Sequence, residues 1–208
     1  MRAGDALWNP LTGEKAVLLA GSDDTGGEHL LVDFAVEAGG FVPGGEHVHD
    51  HQRETFEVRE GVMGLRIDGE ERKVGAGETA VVEPGTRHEW WNAGPGEIRI
   101  TARVEPALDF EAAITALWGL CADGRTDARG RPGPLQGALL AQRFAREIRF
   151  TSPPRAVQRV MVPLLARIAR WRGYSADFPE YTDLAKHPSA RPGLGRLPRG
   201  ADARPESA

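Results

Sequence analysis

The nine residues Glu46-His47-Val48-His49-Asp50-His51-Gln52-Arg53-Glu54 hold three histidines and two glutamates. Side chains alternate faces along an extended strand, so His47 and His49 point the same way. Glu54 has the opposite parity and cannot share that aim on one unbroken strand. A turn through Asp50 to Arg53 is therefore expected, with Glu54 arriving from the next antiparallel strand. A further imidazole follows a turn signal in Pro84-Gly85-Thr86-Arg87-His88-Glu89-Trp90-Trp91-Asn92. Neutral imidazole nitrogens with one hard carboxylate oxygen suit a divalent first-row metal ion. His47, His49, Glu54 and His88 are accordingly the candidate metal set. The plain alternative is four polar residues scattered over strands, and none of the four carries the reading alone.

The elements that must position these groups follow from periodicity and punctuation. An extended lead-in with a strand near Lys15–Leu19 comes first, then an alternating strand from His29 to Glu37 with Leu30, Val32, Phe34 and Val36 on one face. Beyond the histidine stretch, Thr55–Arg59 and Val62–Asp68 read as strands across a turn at Glu60-Gly61. Met63, Leu65 and Ile67 form the apolar face of the second. Asp68-Gly69 signals a hairpin into Glu71–Val74. Thr79–Val82, His88–Asn92 and Ile98–Val104 complete a series of short strands between Gly/Pro turns. Such spacing argues a sandwich or barrel. Phe56, Val58, Met63 and Ile67 are expected in its core, Trp90 on the His88 face as a pocket wall, and Trp91 facing away.

After Pro106 the period changes to that of helices. Phe110, Ile114, Leu117, Trp118 and Cys121 mark the first, with Asp109 as N-cap and Gly124 past its end. Leu135, Leu139, Leu140, Phe144 and Ile148 mark a second. A third follows Pro153-Pro154, with Val157, Val160, Met161, Leu164, Leu165, Ile168 and Trp171 along one side and Pro163 inside it as a kink. Arg155, Arg159, Arg167, Arg170 and Arg172 accompany that stripe. The reading adopted is a helix packed on the barrel with a basic outer face; an anionic membrane or nucleic acid is the alternative use of such a helix. Residues 187–208 are rich in Pro, Gly, Arg and Ala, and a disordered tail is expected there.

At 208 residues the chain suffices for one good core, or one domain with an appendage. Its 26 glycines and 15 prolines fit a turn-rich fold. With the single cysteine, Cys121, an intrachain disulfide is excluded, and its place on the apolar face of a helix points to packing. No apolar run is long enough to span a bilayer and the start lacks a signal-peptide pattern, so a cytoplasmic protein is expected. Residues 1–108 carry 10 Lys/Arg against 20 Asp/Glu, whereas 109–208 carry 16 against 10. Packing of an acidic front half on a basic back half is the favoured meaning. Arg99 and Arg103, opposite Ile98 and Ile100, fit a solvated strand face better than an anion clamp.

These motifs resemble the two signatures of the cupin superfamily. The first is His47-x-His49, four residues, Glu54, six residues and Gly61. The second is Gly77, five residues, Glu83-Pro84-x-x-x-His88, three residues and Asn92. Glu83 stands where many relatives have proline, and Gly40 lies one place early, with Phe41 at the usual glycine position; neither departure removes a ligand. The likeness covers about residues 28–108. Two flanking segments, Asn9-Pro10-x-Thr12-Gly13-Glu14 and Gly130-x-Pro132-Gly133-Pro134-Leu135-Gln136, look like those of single-cupin bacterial proteins with a short helical extension.

The resemblance implies a mainly β protein. Its expected parts are a cupin jelly-roll β-barrel with its lead-in over 1–108, about three α-helices packed on the barrel over 109–186, and the tail over 187–208. It also implies one divalent ion (Fe, Mn, Ni, Co or Zn) on His47, His49, Glu54 and His88. Gln52, which many relatives share, would touch the metal or cap the turn, and His51 falls at the rim. Glu54 would be a plain ligand, or one that leaves the metal to take a proton from substrate. The second role looks like that in cupin-type dioxygenases that cleave flavonols. A small metalloenzyme acting on an organic molecule in the barrel is therefore expected, dioxygenase-like or isomerase/cyclase-like. A non-catalytic cupin that binds or senses a small ligand is the alternative. Cupins commonly dimerise through their strands, which implies a homodimer; no nucleic-acid partner and no membrane span are expected.

Overall fold

A computed structural model describes residues 3–43 and 45–182. Eleven strands and four helices follow in chain order. The strands are β1 (Ala6–Asn9), β2 (Glu14–Ala20), β3 (Leu30–Val36), β4 (His47–Val48), β5 (Arg53–Glu60), β6 (Val62–Ile67), β7 (Glu70–Gly75), β8 (Thr79–Val82), β9 (Arg87–Asn92) and β10 (Ile98–Glu105). Then come α1 (Phe110–Ala122), α2 (Pro134–Arg143), β11 (Arg149–Phe150), α3 (Arg155–Trp171) and α4 (Pro179–Thr182). Strands with the expected alternation all form; β1 and β11, which carry little periodicity of their own, are additions.

Two antiparallel sheets face each other, ordered β1-β2-β3-β10-β5-β8 and β11-β4-β9-β6-β7. Consecutive strands β4 and β5 belong to different sheets, as do β5 and β6. The turn at 49–52 therefore carries the chain across the sandwich rather than into a neighbouring hairpin. The expected hairpin at Asp68-Gly69 is present, joining β6 to β7 with φ of 48° and 91°. Both central residues of a type I′ hairpin turn take positive φ, and an Asp-Gly pair is among those that tolerate this best. Gly64 is required by close approach instead. A β-carbon there would overlap the Trp91 indole of β9, so only glycine lets that ring lie flat across β6.

The core between the sheets holds Phe56, Val58, Met63, Leu65, Ile98 and Ile100, each 1% exposed or less. A second cluster joins Leu18, Leu30, Val32 and Val104 to Phe110, Trp118 and Leu120, so α1 packs against side chains of β2, β3 and β10. Two sequence expectations need correction. The second helix stops at Arg143, with Phe144 as its C-cap; Phe144 and Ile148 still reach the core, from the turn that follows. The third helix does not bury its long apolar stripe on the barrel. It packs on α2 through Ala166 and Ala169, both 0% exposed, and turns Val160, Leu164 and Trp171 outward. Small residues win that contact because they let two helix axes approach closely. No helix among the described residues is long and apolar enough to cross a membrane. The tail expected over 187–208 lies outside the described residues.

Candidate metal centre

His47 lies on β4 and pairs directly with His88 on the neighbouring β9. His49 follows β4 by one residue, and Glu54 reaches the three imidazoles from β5 in the facing sheet. The expected strand-turn-strand device thus operates across the sandwich. Donor atoms of all four lie within 4.8 Å of one another, and no residue of the set is more than 5% exposed.

Each imidazole is oriented by a backbone carbonyl. Nδ1 of His47 meets the Gly45 carbonyl at 2.9 Å, that of His88 meets Thr86 at 3.1 Å, and that of His49 meets Glu147 at 2.5 Å. A carbonyl only accepts, so each Nδ1 is the protonated, donating nitrogen. Each Nε2 is thereby left to the centre, which is how metal-binding histidines are commonly held. His88 Nε2 faces Glu54 Oε2 at 2.7 Å and His49 Nε2 faces it at 3.4 Å, the latter without hydrogen-bond geometry. Lone pairs of neutral rings crowding a buried carboxylate require a proton or a cation between them. The donor set therefore fits a divalent cation.

The electrostatics agree. Burial, reinforced by His88 and His49, pushes the His47 pKa down to about 3, so this ring stays neutral. For Glu54, burial works against the charge, but His49 and His88 outweigh it and hold the pKa well below the usual carboxylate value. Burial likewise opposes charging of His49, and Glu54 with the Glu147 carbonyl overcomes that and raises it.

A cavity of about 1000 Å³ opens onto His47 and Glu54, while His49 and His88 stand behind them. Its walls are mostly apolar. Phe56 and Trp90 come from the barrel, Leu117 and Trp118 from α1, and Met161 and Leu165 from α3. Trp90 is thus a pocket wall as its parity predicts, and Trp91 faces away under Arg66. The Gln52 Nε2 donates to the Pro106 and Ala107 carbonyls and ties the turn before β5 to the segment ahead of α1, while its Oε1 is buried without a hydrogen-bond partner. His51 is exposed. Arg99 and Arg103 sit on the outer face against Glu97 and Glu105. Cys121 is buried, and burial raises its pKa, as suits packing.

Three contributors were not legible in advance. The Glu147 carbonyl steers His49, and no side-chain pattern announces a backbone acceptor. Phe150 on β11 pairs with His47, and Arg149 grips Asp50 through two hydrogen bonds of 3.0 and 2.7 Å. Glu14 is the third, a further carboxyl in the cavity wall beside Glu46 and Glu54, 2% exposed, with the Thr12 hydroxyl donating to it at 2.7 Å. Burial, only partly offset by Thr12, pushes its pKa up to about 8. Its place in the Thr12-Gly13-Glu14 segment was the one available signal.

The family model of the cupin domain matches residues 32–103. Among solved structures, an uncharacterized conserved protein with a double-stranded beta-helix domain from Klebsiella pneumoniae is 26% identical, over 39% of this chain and 66% of its own, with a TM-score of 0.35. Streptomyces PAC13, solved with uridine, is 21% identical over 51% of this chain and 78% of its own, at 0.41. KdgF from Halomonas sp. is 19% identical over 51% of this chain and 92% of its own, at 0.42. No curated protein matches the chain. The matched segment runs from β3 to β10 and contains all four clustered side chains, so it is a cupin domain that carries the site.

Proposed function

We propose that the chain binds one divalent metal ion through His47, His49, Glu54 and His88, and that it is a small-molecule metalloenzyme whose substrate occupies the apolar cavity. The observation that supports this most is the combination of three carbonyl-locked imidazoles with a cavity that meets the cluster on its His47 and Glu54 side. A purely structural metal site is closed by four protein ligands away from any cavity; a site with room beside it admits a substrate oxygen.

When bound, a divalent cation supplies Lewis-acid polarisation of a ligand oxygen, and Fe, Mn, Ni or Co adds redox chemistry with oxygen. The protein's own part is to orient and to move a proton. Glu54 is ionised and faces the cavity, so it is the group placed to take a proton from an enolisable carbon or hydroxyl. His47 stays neutral and donates no proton. Phe56, Trp90 and Trp118 exclude water and hold the organic body of the ligand. An enol, enolate or carboxylate oxygen is the fitting head group. Oxidative cleavage, as by a dioxygenase, is one outcome when the metal is Fe, Mn, Ni or Co, and isomerisation or cyclisation is another.

Metal content of the purified protein is the decisive measurement. Near-stoichiometric metal, lost in His49→Ala, supports the reading and directs a screen of flavonols and diketones under oxygen. A protein that holds no metal and folds equally well without His49 removes the enzyme reading and leaves a ligand-binding barrel. In an active preparation, Glu54→Gln is expected to lower turnover by about 10²–10⁴-fold, the usual contribution of a positioned base.

A further inference from the structure

Helix α3 has three longitudinal faces. Ala166 and Ala169 bury one against α2. At 3.6 residues per turn, Arg159, Arg167 and Arg170 fall on the flank beside it. Opposite the packed face runs an apolar ridge: Val157, Val160, Met161, Leu164 and Trp171, exposed by 44, 67, 40, 52 and 82%. Tyr174, just past the helix, adds another exposed ring. A ridge of this kind on a monomer marks an interaction site.

Charge narrows the partner. Between Arg149 and Ala176 the chain has six arginines and no carboxylate. Arg149 is taken up by Asp50, but Arg159, Arg167 and Arg172 are exposed and make no ion pair among the described residues. A second copy docked ridge to ridge would set these arginines against their own images, with no acidic group on either helix to neutralise them. A nucleic acid would satisfy the arginines and leave Val160 and Leu164 against phosphates. An anionic phospholipid surface satisfies both, with arginines at the head groups and the ridge among the upper acyl carbons, and an interfacial tryptophan is at home there.

We infer that α3 is a membrane-surface helix that docks the protein on an anionic bilayer. The cavity adjoins this face, because Val157 and Met161 of the ridge also line it. Docking would therefore bring this side of the cavity up to the lipid, from which an apolar ligand can partition into it.

The test is co-sedimentation of the full chain with phosphatidylcholine vesicles, with and without phosphatidylglycerol. Binding is expected to the anionic vesicles and to weaken as salt rises. It should fall by at least about tenfold in Val160→Glu/Leu164→Glu, and by several-fold in Arg159→Gln/Arg167→Gln. All four side chains are exposed, so unchanged circular dichroism and thermal unfolding show that the variants fold. A protein that stays in solution with anionic vesicles overturns the inference. So does a stable dimer in sedimentation equilibrium that Val160→Glu/Leu164→Glu dissociates, because the ridge is then a contact between copies.

Discussion

The barrel and α3 place their large apolar side chains in opposite ways. In the sheets, alternation puts Phe56, Met63, Leu65 and Ile100 inside at 1% exposure or less. In α3, the large residues Val160, Leu164 and Trp171 lie outside, and two alanines take the packed face. A strand has only two faces, so an apolar period of two leaves one choice. A helix can carry two apolar stripes, and the one buried is the one whose size fits the neighbour. Periodicity identifies a face; volume decides where it goes.

The contrast can be broken at four points. Phe56→Ala, in the barrel, should cost about 3–5 kcal/mol in urea unfolding, through lost burial and a cavity; a cost below about 1 kcal/mol would mean that the sheets are loosely packed. Next in size is the pH dependence set by Glu14, whose ordinary pKa of 4.5 is raised to about 8 in the fold. The folded state holds a proton that the unfolded chain releases. Glu14 therefore adds stability that is complete below pH 4.5 and is lost at roughly 1.4 kcal/mol per unit as pH rises toward 8. Glu14→Gln should remove that slope, and an unchanged slope would place the carboxyl in contact with water. Third, Ala166→Leu should destabilise by about 1–3 kcal/mol by forcing α3 away from α2. Smallest is Leu164→Ala on the ridge, within about 0.5 kcal/mol in vesicle-free buffer. A loss comparable to that of Phe56→Ala would show that the ridge is covered in solution.

The four clustered side chains were legible because their spacing is local to two short segments, and parity alone demanded a break between His49 and Glu54. What spacing could not give was the destination of β5, which depends on pairing with β10 and β8 far along the chain. The second helix was overextended for a related reason. Phe144 and Ile148 keep the helical period, but what the period recorded was burial in a common core, reached by a turn as well as by a helix. Asp109 stands at the N-cap of α1 as expected, yet makes no capping bond; its carboxylate accepts from Arg143 at 2.8 Å, so a long-range ion pair displaced the local one.

The Glu147 carbonyl that holds His49 belongs to the connection between α2 and β11, 98 residues along the chain from the ring it steers. Order in that connection and aim of the imidazole are thus linked equilibria. A cation that prefers the aimed ring must, by reciprocity, favour the ordered connection by the same factor. Protease resistance of residues 144–150 would then report occupancy of a centre they meet through the Glu147 carbonyl and through the Phe150 ring against His47. A loop distant in sequence becomes a gauge of whether the barrel is loaded.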